Sequence, residues 1–170
     1  MKKGILAVSF GTSHIDTMEK TIDVLEKEFA KTFEEAVVYR AFTSNMIIKK
    51  LKRTANIKVQ TVGEALEKMA ADGIEEVIVQ PTHVINGIEN DRMLQEVMEH
   101  MHLFRKVYVG KPLLSSVEDY KKAIHAVMEK TVIGEDEMLV LMGHGTDHHA
   151  NSAYPTFCLL YTSPSPRDTR

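Results

Sequence analysis

The stretch Leu139–His148 (LVLMGHGTDH) repeats the pattern of Ile5–His14 (ILAVSFGTSH). Each is an apolar run of β type that breaks into small residues, with Gly-Thr at the same offset, then a polar residue and a histidine. Short continuous apolar runs of this kind suit strands buried on both faces, as in a parallel sheet. A chain that begins the same strand–loop–helix unit twice is therefore expected to fold as α/β. Open α/β sheets bind ligands outside the carboxyl ends of their strands, where both loops fall. The second copy carries His144 between Gly143 and Gly145, at the offset where the first has Phe10.

The spacing of apolar residues predicts the elements between the two copies. After the strand Ile5–Phe10, a helix carries Ile15, Met18, Ile22, Leu25 and Phe29 on one face. Ala36–Phe42 is a strand, and Thr43-Ser44-Asn45 can cap a short helix to about Arg53. A helix over Thr61–Asp72 ends at Gly73, and strand Glu76–Gln80 runs into Pro81. Helix Ile88–Phe104, strand Lys106–Val109, helix Val117–Lys130 and strand Met138–Met142 follow. Strands alternating with helices imply parallel βαβ units. The expected architecture is a three-layer α/β/α domain with a four-stranded parallel sheet over residues 1–132, Ile5–Phe10 central. The first strand and loop of a second, similar domain would occupy 133–157.

Residues 158–170 break this pattern. Ser163-Pro164-Ser165-Pro166 cannot occupy a helix interior, and the segment has no amphipathic period. It is expected to be a non-native tail resembling translated sequencing-adapter read-through; a genuine disordered tail is the bland alternative.

Composition narrows the function classes. A net charge of −3 argues against general nucleic-acid binding. Cys158 is the only cysteine, so neither an intrachain disulfide nor a cysteine-based metal cluster is available. No segment approaches the roughly 20 apolar residues of a membrane span, and the N-terminus has no signal-type apolar region. A cytoplasmic location without membrane partners is expected.

Four groups of residues carry candidate chemistry. Gly143-His144-Gly145-Thr146-Asp147-His148-His149 offers a neutral imidazole that could ligate a divalent metal or accept a proton. The ordinary alternative is a structural Gly-His-Gly turn with solvated histidines. Phe10, Gly11, Thr12 and Ser13 open a helix whose N–H groups would favour an anion, or they are simply a tight turn capped by Ser13. His83, Asn86, Gly87 and Glu89 follow the third strand and converge on the same sheet edge, although Asn86-Gly87 also reads as a plain turn. Between Arg40 and Lys58 lie six basic residues and no acidic one. Such a stretch could attract an acidic ligand, with Arg40 favoured because it interrupts an apolar strand.

Five blocks in order resemble the anaerobic-type cobalt chelatases of cobalamin biosynthesis, the sirohydrochlorin cobaltochelatases, which are class II chelatases. They are AVSFGTS, RAFTSNMIIKKL from Arg40, HVINGIEND from His83, GKPLLSSVEDY from Gly110 and MGHGTDHHANSAYP from Met142. The resemblance implies two similar α/β domains facing a cleft. It implies Co2+ as the substrate metal, with Ni2+ or Fe2+ as alternatives, and sirohydrochlorin as the tetrapyrrole substrate. It implies His144 as both metal ligand and proton acceptor, and no organic cofactor. A glutamate and a second histidine of the family fall beyond Arg170, so the expectation is an inactive N-terminal portion of a chelatase. Phe10, Gly11, Thr12, Ser13, Arg40, His83, Asn86, Gly87 and Glu89 would bind this substrate, with the Arg40–Lys58 stretch and the two Gly-Thr loops as candidates for meeting its carboxylates. A non-enzymatic metal- or tetrapyrrole-binding module is the alternative. A hydrolase would want an Arg or Ser beside His144, and none is adjacent. Oligomeric state is left open, a homo-oligomer included.

Overall fold

The computed structural model describes residues 2–162, apart from Ile133 and Glu135. The described residues form two compact units. One comprises residues 2–83 and 88–112, the other 84–87 and 113–162.

The first unit is a three-layer α/β/α sandwich. Its strands are β1 (Lys3–Ser9), β2 (Ala36–Phe42), β3 (Glu76–Pro81) and β4 (Lys106–Val109). They form one sheet in the order β2-β1-β3-β4, with every pairing parallel. β1 is central as expected, and its residues Gly4–Ser9 are all buried. A continuous apolar run is what a strand needs when helices cover both faces and hydrogen-bonded strands flank it. Leu6 and Val8 point to one face, with Val77, Val79 and Ala41, against Leu66 and Met69 of α4 (Val62–Ala71) and Met93 and Val97 of α5 (Ile88–His100). On the other face Phe42 packs with Met18, Ile22 and Leu51 from α1 (Ile15–Lys20), α2 (Ile22–Thr32) and α3 (Asn45–Ala55).

Local chemistry sets the helix ends. The Ser44 Oγ accepts from the Ile47 N–H and starts α3. Thr61 and Glu64 make a reciprocal capping box at α4, satisfying two otherwise orphan donors. Gly73, at φ +77°, follows the end of α4 as the spacing predicted. Two expectations fail on this side. The single helix over Ile15–Phe29 is two helices broken at Thr21, whose backbone departs to φ −126°, ψ −74°. With the break the stripe loses its common face, so Met18 and Ile22 are buried while Ile15 and Leu25 stay exposed.

The second unit contains α6 (Val117–Lys130), a 3-10 turn (His149–Ser152) and α7 (Ala153–Thr162). Tyr120 of α6 faces Phe157 of α7, with ring centroids 6.5 Å apart. α6 thus groups with the chain after residue 113, not with the sheet domain expected to run to 132. The strand expected over Met138–Met142 is not formed: these residues have no ladder partner among the described residues. Met138, Val140 and Met142 are 84%, 76% and 94% exposed. An apolar run becomes a strand only where a neighbour satisfies its N–H and C=O groups, and none does so here. α7 continues through Thr162, into the segment 158–170 expected to be a tail. The prolines that would stop it lie in 163–170, outside the described residues.

One contact at the carboxyl edge of the sheet tolerates no side chain. Gly11 has φ +96°, and a Cβ there would sit 2.4 Å from Cδ2 of the fully buried Phe42. Both the backbone strain and the clash fall on Gly11→Ala. It should lower stability by about 2 kcal/mol or more, read from urea denaturation.

Candidate functional site at the carboxyl edge of the sheet

The ends of β1, β2 and β3 are tied into one polar edge. The Thr43 N–H donates to the Ser9 carbonyl at 3.0 Å, and the Thr82 N–H to the Val8 carbonyl at 2.8 Å. The hydroxyls of Ser9 and Thr82 lie 2.8 Å apart. Ser9, Thr43 and Ser44 are buried despite their polarity. Parallel strands deliver all three loops to the same side, so this edge concentrates the polar residues that the apolar strands exclude.

His83 follows Thr82 directly. Both its ring nitrogens are shielded from solvent and meet no hydrogen-bond partner among the described residues. Burial pushes its pKa below the usual value, against an opposing pull from the Glu89 carboxylate. At neutral pH the ring is therefore neutral, with a lone pair free. Glu89, in the first turn of α5, accepts from Arg92 on Oε1 at 2.8 Å, but its Oε2 is buried and unpartnered. The Asn90 Oδ1 and Thr43 Oγ1 are in the same condition. Unpaired buried polar atoms are rare and each asks for an explanation; here they gather where the fold puts ligands.

Thr43 and Asn90 were not singled out by the sequence reading. Asn90 carries a usable signal: it sits at i, i+3 and i+7 with Met93 and Val97, so it is a polar residue on a buried stripe. Thr43 was read only as part of a helix cap, which its neighbour Ser44 provides.

The other expected residues divide. Phe10 is exposed at the same edge, and Gly11, Thr12 and Ser13 are half-buried beside it. Ser13 does not cap the helix: His14 occupies that position, and no side chain caps it. Asn86 and Gly87 belong to the second unit, where Asn86 Nδ2 donates to Ser115 Oγ at 3.1 Å and the Leu114 carbonyl at 3.4 Å. Arg40 has a different task from the one expected. Its Nε donates to Glu26 Oε1 at 2.7 Å and its Nη2 to Asp23 Oδ1 at 2.5 Å, with a further bond from Nη2 to Glu26 Oε2. The hydrogen bonds to Glu26 raise its pKa above the usual guanidinium value. A strand arginine held by two helix carboxylates ties β2 to α2, and its charge is not free for an acidic ligand.

His144 lies in the second unit, in an irregular loop, not at a strand end. The loop nonetheless reproduces the first copy of the repeat. Gly11 and Gly145 both have positive φ, at 96° and 77°. The His14 N–H donates to Thr12 Oγ1 at 3.2 Å, and the His148 N–H donates to Thr146 Oγ1 at 3.2 Å. His14 and His148 each start a helical turn. A Cβ on Gly143 would fall 2.6 Å from the Tyr154 ring. His144 is exposed between these constrained glycines, presented by the backbone. His148 accepts the Ala150 N–H on Nδ1 at 3.2 Å and stacks on His149, with ring centroids 3.9 Å apart. That makes it the cap of the 3-10 turn. Among the described residues no three His, Cys, Asp or Glu side chains gather into a metal-binding group.

Sequence comparison matches residues 3–164 to the cobalt chelatase (CbiK) family. The chain belongs to that family. It is 43% identical over 155 residues to the sirohydrochlorin cobaltochelatase of Salmonella typhimurium, covering 91% of this chain and 59% of the relative. It is 32% identical over 169 residues to the sirohydrochlorin cobaltochelatase CbiKC of Nitratidesulfovibrio vulgaris, covering 97% of this chain and 59% of that one. The chain thus spans about 59% of the length of these curated relatives. Among solved structures, a cobalamin (vitamin B12) biosynthesis CbiX protein from Marinobacter aquaeolei VT8 matches with a TM-score of 0.50 at 15% identity, over 76% of this chain and 94% of that one. That likeness supports the α/β/α fold. No helix among the described residues is long and apolar enough to cross a membrane.

The lowered pKa of His83 sets a direction for pH dependence. The group is harder to protonate when folded, so its contribution is present above the unfolded value of about 6.5 and is lost as pH falls below it. Acidification from pH 7 should lower the melting temperature. His83→Gln should flatten that dependence, and an NMR titration should place the His83 midpoint below 6.5.

Proposed function

We propose that the protein of which this chain is a part is a sirohydrochlorin cobaltochelatase, inserting Co2+ into sirohydrochlorin in the anaerobic route to cobalamin. The observation that carries this reading is the match to cobalt chelatases over residues 3–164, with 43% identity to one relative of that activity. The loops of the repeat support it.

Inserting a metal requires a ligand that holds it loosely and a base for the pyrrole N–H protons. His144 suits both tasks. It is exposed, and the positive φ of Gly145 and the close packing of Gly143 restrict how it is presented. Sirohydrochlorin is a broad, flat polyacid. The exposed Phe10 ring offers an apolar surface to such a macrocycle, and Gly11 lets it approach the backbone. Thr12, Ser13, His83 and Glu89 complete the polar edge in the first unit; Asn86 and Gly87 are substrate candidates in the second unit. Co2+ is the expected metal; an imidazole site would accept Ni2+ or Fe2+ as well. The reading needs no organic cofactor, and a cytoplasmic location is its natural setting.

The stretch 133–157 is then part of a second chelatase-like domain. The isolated position of His144 favours the second reading for this chain by itself: a module that binds metal or tetrapyrrole without turning over.

The test uses the spectral change when Co2+ enters sirohydrochlorin. In a protein of the relatives' full length, His144→Ala should lower the rate by at least ~10²-fold while leaving circular dichroism unchanged, because it removes a positioned proton acceptor. His148→Ala should cost less. Near-normal turnover by His144→Ala would exclude the role given to it. The chain itself should show no rate above the uncatalysed reaction.

A further inference from the structure

The two copies of the repeat differ at the residues that hold the loop around His144. Both keep the bond from the histidine N–H to the threonine hydroxyl. Counted along the repeat, Gly143 stands where the first copy has Ser9, Asn151 where it has Thr17, and Tyr154 where it has Lys20. In the first copy the Ser9 hydroxyl lies 2.8 Å from that of Thr82. In the second, Gly143 has no side chain and the Tyr154 ring takes the space. A Cβ on Gly143 would fall 2.6 Å from Tyr154 Cδ1 and 2.9 Å from Cγ. Gly143 and Tyr154 are thus a matched small and large pair, immediately before His144.

After His144 the hold is polar. The Thr146 N–H donates to Asn151 Oδ1 at 3.2 Å, and the Asn151 N–H donates to the His148 carbonyl at 2.9 Å. With the His148 N–H on Thr146 Oγ1, these bonds close a ring through residues 146, 148 and 151. Asn151 belongs to the 3-10 turn and Tyr154 to the first turn of α7, where Ala153 is buried.

Flanking glycines give a loop residue more backbone freedom than any other neighbours, and Gly145 sits at φ +77°. A metal ligand or proton acceptor works from one position, and a misplacement of about 1 Å can cost ~10²-fold in rate. We propose that Tyr154 and Asn151 are positioning residues for His144. The ring fixes the backbone before it, the amide oxygen fixes the backbone after it, and the imidazole is offered in one direction. The use of this clamp in metal insertion rests on the chelatase reading; the clamp itself does not.

The first arm of the test uses the chain as it stands, labelled with 15N, and reads amide order parameters at His144, Gly145 and Thr146. Values near ~0.85 are expected, falling below ~0.6 in Tyr154→Ala and in Asn151→Ala and unchanged in Tyr154→Phe, which keeps the ring. A cross-peak between the Tyr120 and Phe157 rings reports that α7 is still docked on α6. If Tyr154→Ala loses it, Asn151→Ala decides, since Asn151 is exposed. The second arm follows cobalt insertion in a protein of the relatives' full length. Tyr154→Ala and Asn151→Ala should lower kcat by ~10-fold or more. KM for sirohydrochlorin should stay within about 2-fold, and Tyr154→Phe should keep near-normal kcat.

Order parameters below ~0.6 in the unchanged chain, or values near ~0.85 kept by both alanine variants, would overturn the clamp. Normal kcat in both alanine variants, or a loss carried by KM alone, would overturn its use in the reaction. The two readings fail separately. Near-normal turnover by full-length His144→Ala bears on the chelatase reading and leaves the clamp standing.

Discussion

β1 has no face toward solvent. From Gly4 to Ser9 every residue is buried, flanked by parallel β2 and β3 and covered by helices on both sides. Such a strand is apolar until its last residue, Ser9, so polar function is displaced to its carboxyl end. There the chain must turn sharply against Phe42, and only a glycine at position 11 fits. The same parallel pairing carries Thr43 from β2 and Thr82-His83 from β3 to that edge, where backbone bonds to Val8 and Ser9 lock them together. The candidate site is thus a consequence of how the central strand is buried.

Much of this was legible beforehand because the signals were local. The apolar runs at Ile5, Ala36, Glu76 and Lys106 all became strands, and Ser44, Thr61 and Gly73 marked helix ends that exist. What failed depended on partners far along the chain. LVLM at 139–142 has the composition of a strand but no ladder neighbour among the described residues, so it stays irregular. Tyr120 of α6 faces Phe157 of α7 within the second unit, which periodicity alone could not specify. The break at Thr21 lies within a pattern that looks continuous in sequence.

The site shows the same division. The repeat identified two equivalent loops, and their equivalence holds down to a 3.2 Å N–H to threonine bond in each. Residue type placed His83 and Glu89 at the right edge. It could not show that Arg40 would be consumed by Asp23 and Glu26, since both lie a helix away. Nor could it show that Asn90 and Thr43 would be buried without partners. A charged residue in a strand reads as a ligand until the helix above it is seen to carry the opposite charges.

The central claim is that the carboxyl edge of the first unit receives the tetrapyrrole. Amide chemical-shift mapping of the isotopically labelled chain with metal-free sirohydrochlorin tests it most directly. Perturbations should centre on Gly11, Thr12, Thr43, His83 and Glu89. The amino-end loops, Phe33–Glu35 and Asp72–Glu75, should stay unperturbed. Shifts concentrated in those amino-end loops, or none at Gly11 and His83 at saturating tetrapyrrole, would contradict the account.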